Sequence, residues 1–145
     1  RVFISGPSGS GKKHIAKLIH NASKRSSGAM VFVNTKRLIV DDIEEELFGR
    51  ENLDGAPERI GLVEQAHNGT LYIDEATNLC NKSQRRLIKL LTENRFNRVN
   101  GKYSVEVDIR IITASSKNIK EMIKNKLFSE DLFYRLNVVP IHVHR

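Results

Sequence analysis

Seven residues near the start of the chain, Gly6-Pro7-Ser8-Gly9-Ser10-Gly11-Lys12, restrict its fold more than any other stretch. They lie between a short apolar run, Val2 to Ser5, and a segment in which Ile15, Leu18 and Ile19 recur at helical spacing. Strand, glycine loop and helix in that order, with the spacing G-x-x-x-x-G-K, make a cradle for a polyphosphate. The glycines let successive backbone N–H groups turn inward, the helix adds its positive N-terminal end, and Lys12 bridges the outer phosphates as a point charge. The alternative is a plain glycine turn; the strand before it and the helix after it favour the cradle. Lys13 stands where such loops usually place a Ser or Thr on magnesium.

Further along, apolar strands alternate with helices. Met30 to Asn34 reads as a second buried strand, and Ile43, Leu47 and Phe48 in "DDIEEELFG" mark a short helix stopped by Gly49. Arg50 to Arg59 reads as loop. "IGLVEQAHNG" predicts a helix closed at Asn68-Gly69, "TLYIDE" a strand ending in two acids, and Leu87, Leu90 and Leu91 a helix from about Ser83 to Asn94. Asn100-Gly101 signals a hairpin whose second arm runs into the strand Ile109 to Ala114. Helices near 119–126 and 129–136 precede a last strand, Val138 to Val143. This alternation predicts an α/β fold, a mostly parallel five-stranded sheet covered on both faces. Ligands of such sheets sit at the carboxyl ends of the strands, where the glycine loop and the acid pair both fall.

Asp74-Glu75 completes the chemistry. An isolated acid pair more often caps the next helix. Behind a phosphate loop in the right order, Asp74 is the candidate to hold magnesium, through water, and Glu75 to polarise the attacking water.

Composition narrows the class. With 39% hydrophobic and 28% charged residues over 145 positions, the chain is expected to form one domain with a real core. No apolar run approaches the roughly 20 residues of a bilayer span, and no secretory signal is visible, so a cytoplasmic location and no membrane partner are expected. The single Cys80 fits a reducing compartment, and nothing near it marks a nucleophile. The net charge of +7 suits an anionic partner, phosphate or nucleic acid. Lys82, Arg85, Arg86, Lys89, Arg95 and Arg98 could meet nucleic acid, but a solvated helix face is the commoner meaning of such a stretch, and only Phe96 interleaves as an aromatic. His142 and His144 share a strand face without a Cys or acid at ligand spacing, which argues against a metal site.

"ISGPSGSGKK", "EEELFG", "IGLVEQAHNGTLYIDEA", "RRLIKLLTENRFNRVNG", "VDIRIITAS" and "FSEDLFYRLNVVPI" together resemble the central AAA+ domain of sigma-54-type, NtrC-like response regulators over nearly the whole chain. The resemblance implies a three-layer αβα P-loop NTPase core that binds ATP or ADP with Mg2+, and assembles as a homo-oligomer. It also implies that the chain is part of a longer protein, with a receiver domain, a helical lid and a DNA-binding domain outside it. In the family, the ring hydrolyses ATP and remodels the sigma-54 RNA polymerase holoenzyme through a GAFTGA loop. Here the corresponding interval, "RENLDGAPERIGLV", keeps only Asp54-Gly55-Ala56 of that loop, which puts the polymerase contact in doubt and is similar to the NtrX branch.

Three further departures concern hydrolysis. Ser116 in "ITASS" stands at the family's asparagine sensor, with shorter reach. Ser129 and Arg135 stand for its two subunit-boundary arginines. Arg135 can act in trans on a neighbour's γ-phosphate or pair with Asp131 four residues earlier, and the sequence leaves both open. Lys13 replaces a common Glu, and two like charges ~4 Å apart repel by about 4 kcal/mol at an effective dielectric of 20. The expectation is a nucleotide-responsive assembly module with weak or no hydrolysis; a ring-forming ATPase is the second reading, and direct nucleic-acid binding trails both.

Overall fold

Residues 1–36, 43–54 and 56–144 are described by the structure, a computed structural model. In chain order the elements are β1 (Val2–Ser5), α1 (Lys12–Ala22), β2 (Met30–Asn34), α2 (Ile43–Phe48), β3 (Arg50–Glu51), β4 (Pro57–Arg59), α3 (Leu62–Gln65) and β5 (Thr70–Asp74). A 3-10 turn (Ala76–Asn78) then leads to α4 (Asn81–Glu93), β6 (Arg95–Asn97), β7 (Ser104–Glu106), β8 (Arg110–Ser115), α5 (Ile119–Lys124), α6 (Glu130–Leu136) and β9 (Val139–His142).

Five strands form the central sheet in the order β2-β5-β8-β1-β9. Every pairing in it is parallel, so the turns that leave β1, β5 and β8 open on one edge. The inner strands β1, β5 and β8 are buried on both faces, which is why they read as apolar runs. Val2 and Ile4 face the same way as Tyr72, Ile112 and Ala114, and are covered by Ile15, Ala16 and Ile19 of α1. Phe3, Leu71, Ile73 and Ile111 face the other way, onto Leu87, Leu90 and Leu91 of α4 and Leu132 and Leu136 of α6. Phe3 also meets Phe133 edge-on at 5.4 Å between ring centroids. The result is the expected αβα sandwich, with a fully parallel sheet.

The structure departs from the sequence expectation in five places. The segment Arg50 to Arg59, expected to be loop, contains the antiparallel pair β3·β4 with a bulge at Arg50/Glu51. Its polar residues pair because a second hairpin extends the ladder: Glu51 N donates to Val99 O (3.0 Å) and Val99 N to Gly49 O (2.9 Å). At its tip, Gly55 lies outside the described residues, as do Asp41 and Asp42 ahead of α2. Asn100 does adopt positive φ, 60°, but β6 and β7 pair as Asn97↔Ser104, so the connection is longer than a two-residue turn. β7 also stops at Glu106 instead of running into β8, and Val107 N turns back to Asn94 O (3.0 Å). Finally, α3 is a single turn and α4 begins at Asn81, two residues before the expected start.

Candidate functional site

β1 delivers the chain to the glycine loop. Gly6 N donates to Ser115 O (3.2 Å), continuing the β1·β8 ladder by one bond, and the chain then lifts off the sheet. A Cβ on Gly6 would lie 2.7 Å from Val143 O, so only glycine lets the loop start this close to the chain leaving β9. Pro7, Ser8 and Gly9 are exposed at the crest, and Ser10 N closes the turn onto Pro7 O (3.2 Å). Gly11 is the N-cap of α1 at φ 91°, ψ 21°. No atom lies within 4 Å of where its Cβ would be, so the left-handed backbone, not crowding, requires the glycine.

Lys12 is only 7% exposed and bends back over the loop, donating from Nζ to Gly6 O and Pro7 O, both 2.9 Å. Ser10 Oγ is buried without a partner inside the same turn. Lys13, on the next position of α1, goes elsewhere. Its Nζ sits over the Phe32 ring of β2, 4.5 Å from the centroid, where Lys17 joins it at 5.6 Å. This cation–π contact holds the charge on the outer face of the helix layer.

β5 carries the acids to the same edge, one strand away from β1 across β8. Asp74 is the half-buried last residue of the strand, paired with Asn34 and Ala114. Glu75 then breaks the strand with φ 53°, ψ 61°, a conformation that costs a non-glycine residue of order 1–3 kcal/mol and is typical of functional turns. Its carboxylate is buried. Oε1 accepts from the backbone N–H of Ser116 at the end of β8 (2.8 Å), and Oε2 has no partner. Burial first, then the charges of Asp74 and Glu75, pushes the Tyr72 phenol above its ordinary range. Loop, acid turn and the end of β8 thus converge, and an unpaired buried carboxylate oxygen and hydroxyl are what a polar ligand with a cation would satisfy. Asp74, Glu75, Ser10 and Lys12 are therefore a donor set that fits a polyphosphate and Mg2+.

Two other expected residues are placed less directly. Ser116 is exposed, and its amide rather than its hydroxyl makes the contact to Glu75. Arg135 Nε bonds Asp131 Oδ1 at 2.9 Å along α6, so the helix pair is formed within the chain. Ser129 caps α6, its Oγ accepting from Leu132 N (3.2 Å), while its own N–H donates to the buried Gln84 Oε1 (2.8 Å). Sequence reasoning weighed Ser129 only as a lost arginine. A Ser followed by Glu130 and Asp131 was the available signal of a helix start.

The basic stretch is largely neutralised. Lys82 and Arg86 approach Glu44, Arg95 pairs with Glu106, and Arg98 makes a two-pronged pair with Glu64. Phe96 is buried and cannot stack on a base. Only Arg85 and Lys89 of the stretch lack an acidic partner among the described residues. No cluster of three or more metal-ligating side chains occurs among the described residues, His142 and His144 included. His142 Nδ1 instead meets Ser5 Oγ at 2.5 Å. No described helix is long and apolar enough to cross a membrane.

A parallel sheet whose first strand feeds a glycine loop, and whose strand β5, one strand away across β8, runs into Asp74-Glu75, defines a P-loop NTPase core. The Sigma-54 interaction domain model matches residues 1–142. The nitrogen assimilation regulatory protein NtrX of Azorhizobium caulinodans is 41% identical over 143 residues, covering 99% of this chain and 32% of the relative. The transcriptional regulator NtrC of a Bradyrhizobium strain is 42% identical over 145 residues, covering 98% and 30%. NtrX of Brucella abortus, solved in complex with ADP, superposes with a TM-score of 0.93 at 40% identity, over 99% of this chain and 32% of that one. Its complex with ATP gives the same score and identity. The P-loop NTPase domain of a sigma-54 activator from E. coli shares the fold alone, with a TM-score of 0.64 at 17% identity. The chain belongs to the sigma-54 interaction domain family, as a regulatory AAA+ core, and it spans about a third of the length of these NtrX and NtrC relatives.

Proposed function

We propose that the chain is the nucleotide-binding domain of an NtrX-like, two-component response regulator that controls transcription, and that it works mainly as a nucleotide-responsive assembly module with weak or no hydrolysis. The observation that carries this reading is the loop Gly6 to Lys12 at the head of α1, on the same sheet edge as Asp74 and Glu75. The ADP and ATP complexes of Brucella NtrX support ATP or ADP as the ligand. Backbone N–H groups of the loop and the Lys12 ammonium would bind the phosphates, Asp74 would hold Mg2+ through water, and Glu75 would orient a water at the outer phosphate. Magnesium neutralises phosphate charge when bound.

Slow turnover follows from two positions: Ser116 offers a short hydroxyl at the sensor position, and Ser129 caps a helix in place of an arginine. In the assembled homo-oligomer, Arg135 exchanges Asp131 for a neighbour's γ-phosphate, at small cost because an exposed i,i+4 pair is worth only about 0.3–0.5 kcal/mol. DNA is engaged through a domain outside this chain. The second reading, a ring-forming ATPase that remodels sigma-54 RNA polymerase, is favoured by one feature: the strained Glu75 with its unpartnered Oε2 has the form of a working catalytic base. The short β3·β4 hairpin weighs against it, because it offers little of a polymerase-contacting loop.

Calorimetric nucleotide binding combined with phosphate release, with and without magnesium, separates the two. Micromolar binding with release slower than about one per minute supports the module. Release near the typical enzymatic 1–10 per second supports the motor. No binding of either nucleotide refutes both.

A further inference from the structure

We propose that Thr35 is a positioning residue for the acid turn. Its hydroxyl clamps the backbone at Asp74 and Glu75, and Asn78 holds the clamp shut. The inference rests on the nucleotide-binding reading above and deepens it.

β2 and β5 pair through Asn34↔Asp74, the last register pair of the two strands. Beyond it, Glu75 turns left-handed, the ladder ends, and the Glu75 carbonyl accepts from Asn78 N of the 3-10 turn (3.0 Å). Thr35, the next residue after β2, adds a side-chain bond to this turn. It is 6% exposed, and its Oγ1 donates in shared fashion to Asp74 O (2.8 Å) and Glu75 O (2.9 Å). A hydroxyl has one proton, so its orientation is fixed only if its lone pair is also used. Asn78 Nδ2, in the 3-10 turn, donates to Thr35 Oγ1 at 3.1 Å and uses it. Asn78 Oδ1 in turn faces Lys117 Nζ at 3.4 Å, next to the Ser116 amide that holds Glu75 Oε1.

The geometry closes a loop around Glu75. One side is the carboxylate bond to Ser116 N, and the other is the hydroxyl bond to the Glu75 carbonyl; the backbone between them is the left-handed residue itself. Neither bond alone fixes a side chain whose backbone is strained, because a strained conformer persists only when its surroundings over-determine it. The hydrogen bonds of the Thr35 hydroxyl go to the backbone carbonyls of the acid turn, and none joins it to the loop Gly6 to Lys12 or to a side-chain oxygen of the acids among the described residues. Its influence on a ligand therefore runs through Asp74 and Glu75 only, and only magnesium-dependent properties should feel it.

The test uses the full chain with Thr35→Val, which keeps the shape and removes the hydroxyl, and Thr35→Ser, which keeps the hydroxyl. Hydrogen exchange of the Ser116 amide, measured without nucleotide, should accelerate about tenfold in Thr35→Val and stay near native in Thr35→Ser. The gain in ATP affinity on adding magnesium should shrink about tenfold in Thr35→Val, while ATP affinity in EDTA stays within about twofold of native. Asn78→Ala, at an exposed position that cannot compromise the core, should move both readouts in the same direction by a smaller factor. Native exchange at Ser116 together with an unchanged magnesium gain in Thr35→Val, or a Thr35→Ser as defective as Thr35→Val, overturns the proposal. If the native chain binds no nucleotide, the nucleotide reading fails, and the exchange arm still decides the clamp.

Discussion

Removing the Lys12 ammonium is the perturbation with the largest calculable effect on nucleotide binding. Lys12 is 7% exposed, so a dielectric of about 20 rather than that of bulk water applies to its interactions. At roughly 4 Å, an ammonium then gains about 4 kcal/mol from each phosphate charge, or about 8 kcal/mol from the two outer phosphates. Against this stand the bonds it makes to Gly6 O and Pro7 O, which it gives up on binding. Charge-assisted bonds of that kind contribute about 1.5 kcal/mol each, leaving a net of about 5 kcal/mol. Lys12→Ala should therefore weaken ATP and ADP binding by between three and four orders of magnitude, to the point where calorimetry at ordinary protein concentrations detects none. With bulk-water screening, the same contacts gain only about 2 kcal/mol, less than the bonds given up, and the substitution should be almost silent. A loss smaller than about tenfold would thus refute the placement of Lys12 in a dry phosphate site. The side chain belongs to neither apolar cluster, so thermal unfolding of the ligand-free variant should move by no more than about 4 °C, which keeps the binding result interpretable.

Arg98→Ala should destabilise the chain by about 3–5 kcal/mol in urea unfolding, because it strands Glu51, whose side chain is 1% exposed with neither oxygen hydrogen-bonded and Arg98 Nη1 3.9 Å away, and Glu64 at 15%. A loss under about 1 kcal/mol means that the two hairpins are not clasped through this arginine. Lys13→Glu tests the expectation that Lys13 repels the metal. With its charge stacked on Phe32 and exposed to solvent, the repulsion falls from about 4 kcal/mol to the surface range below about 1 kcal/mol, so magnesium-dependent phosphate release should rise less than about fivefold. A gain beyond tenfold places the ammonium at the metal instead.

How much of this could be read from the sequence depended on the kind of force holding each part. Val2 to Ser5, "TLYID" and "RIITAS" were legible as strands because burial on both faces leaves no room for polar residues, and the αβα architecture followed from their order. The glycine loop and the acid pair were legible because each is contiguous, its geometry written into adjacent residues. The β3·β4 hairpin was not. It is held by charge and by a second hairpin, through Val99 bonded to Gly49 and Glu51 and Arg98 facing Glu51 forty-seven positions away, and such contacts leave no periodicity in the chain. Thr35 was hidden for the same reason, its partners lying 39 and 40 residues on, across a strand pairing that fixes them only in three dimensions.

Ser129 shows how a motif comparison can conceal a residue's work. Weighed as a missing arginine, it marks a loss; in the fold it starts α6, and with the amide of Gln84 fixes the end of the helix opposite Arg135. A serine cap is worth about 1 kcal/mol to a helix of seven residues, too short to be stable on propensity alone. On the proposed reading, in which Ser129 stands for one of the family's arginines, the position that supplies no cation still orients Arg135. Slow turnover in a well-ordered site is what that proposal expects, since the helix that carries Arg135 and the turn at Glu75 are kept while part of the charge that would act on a phosphate is gone.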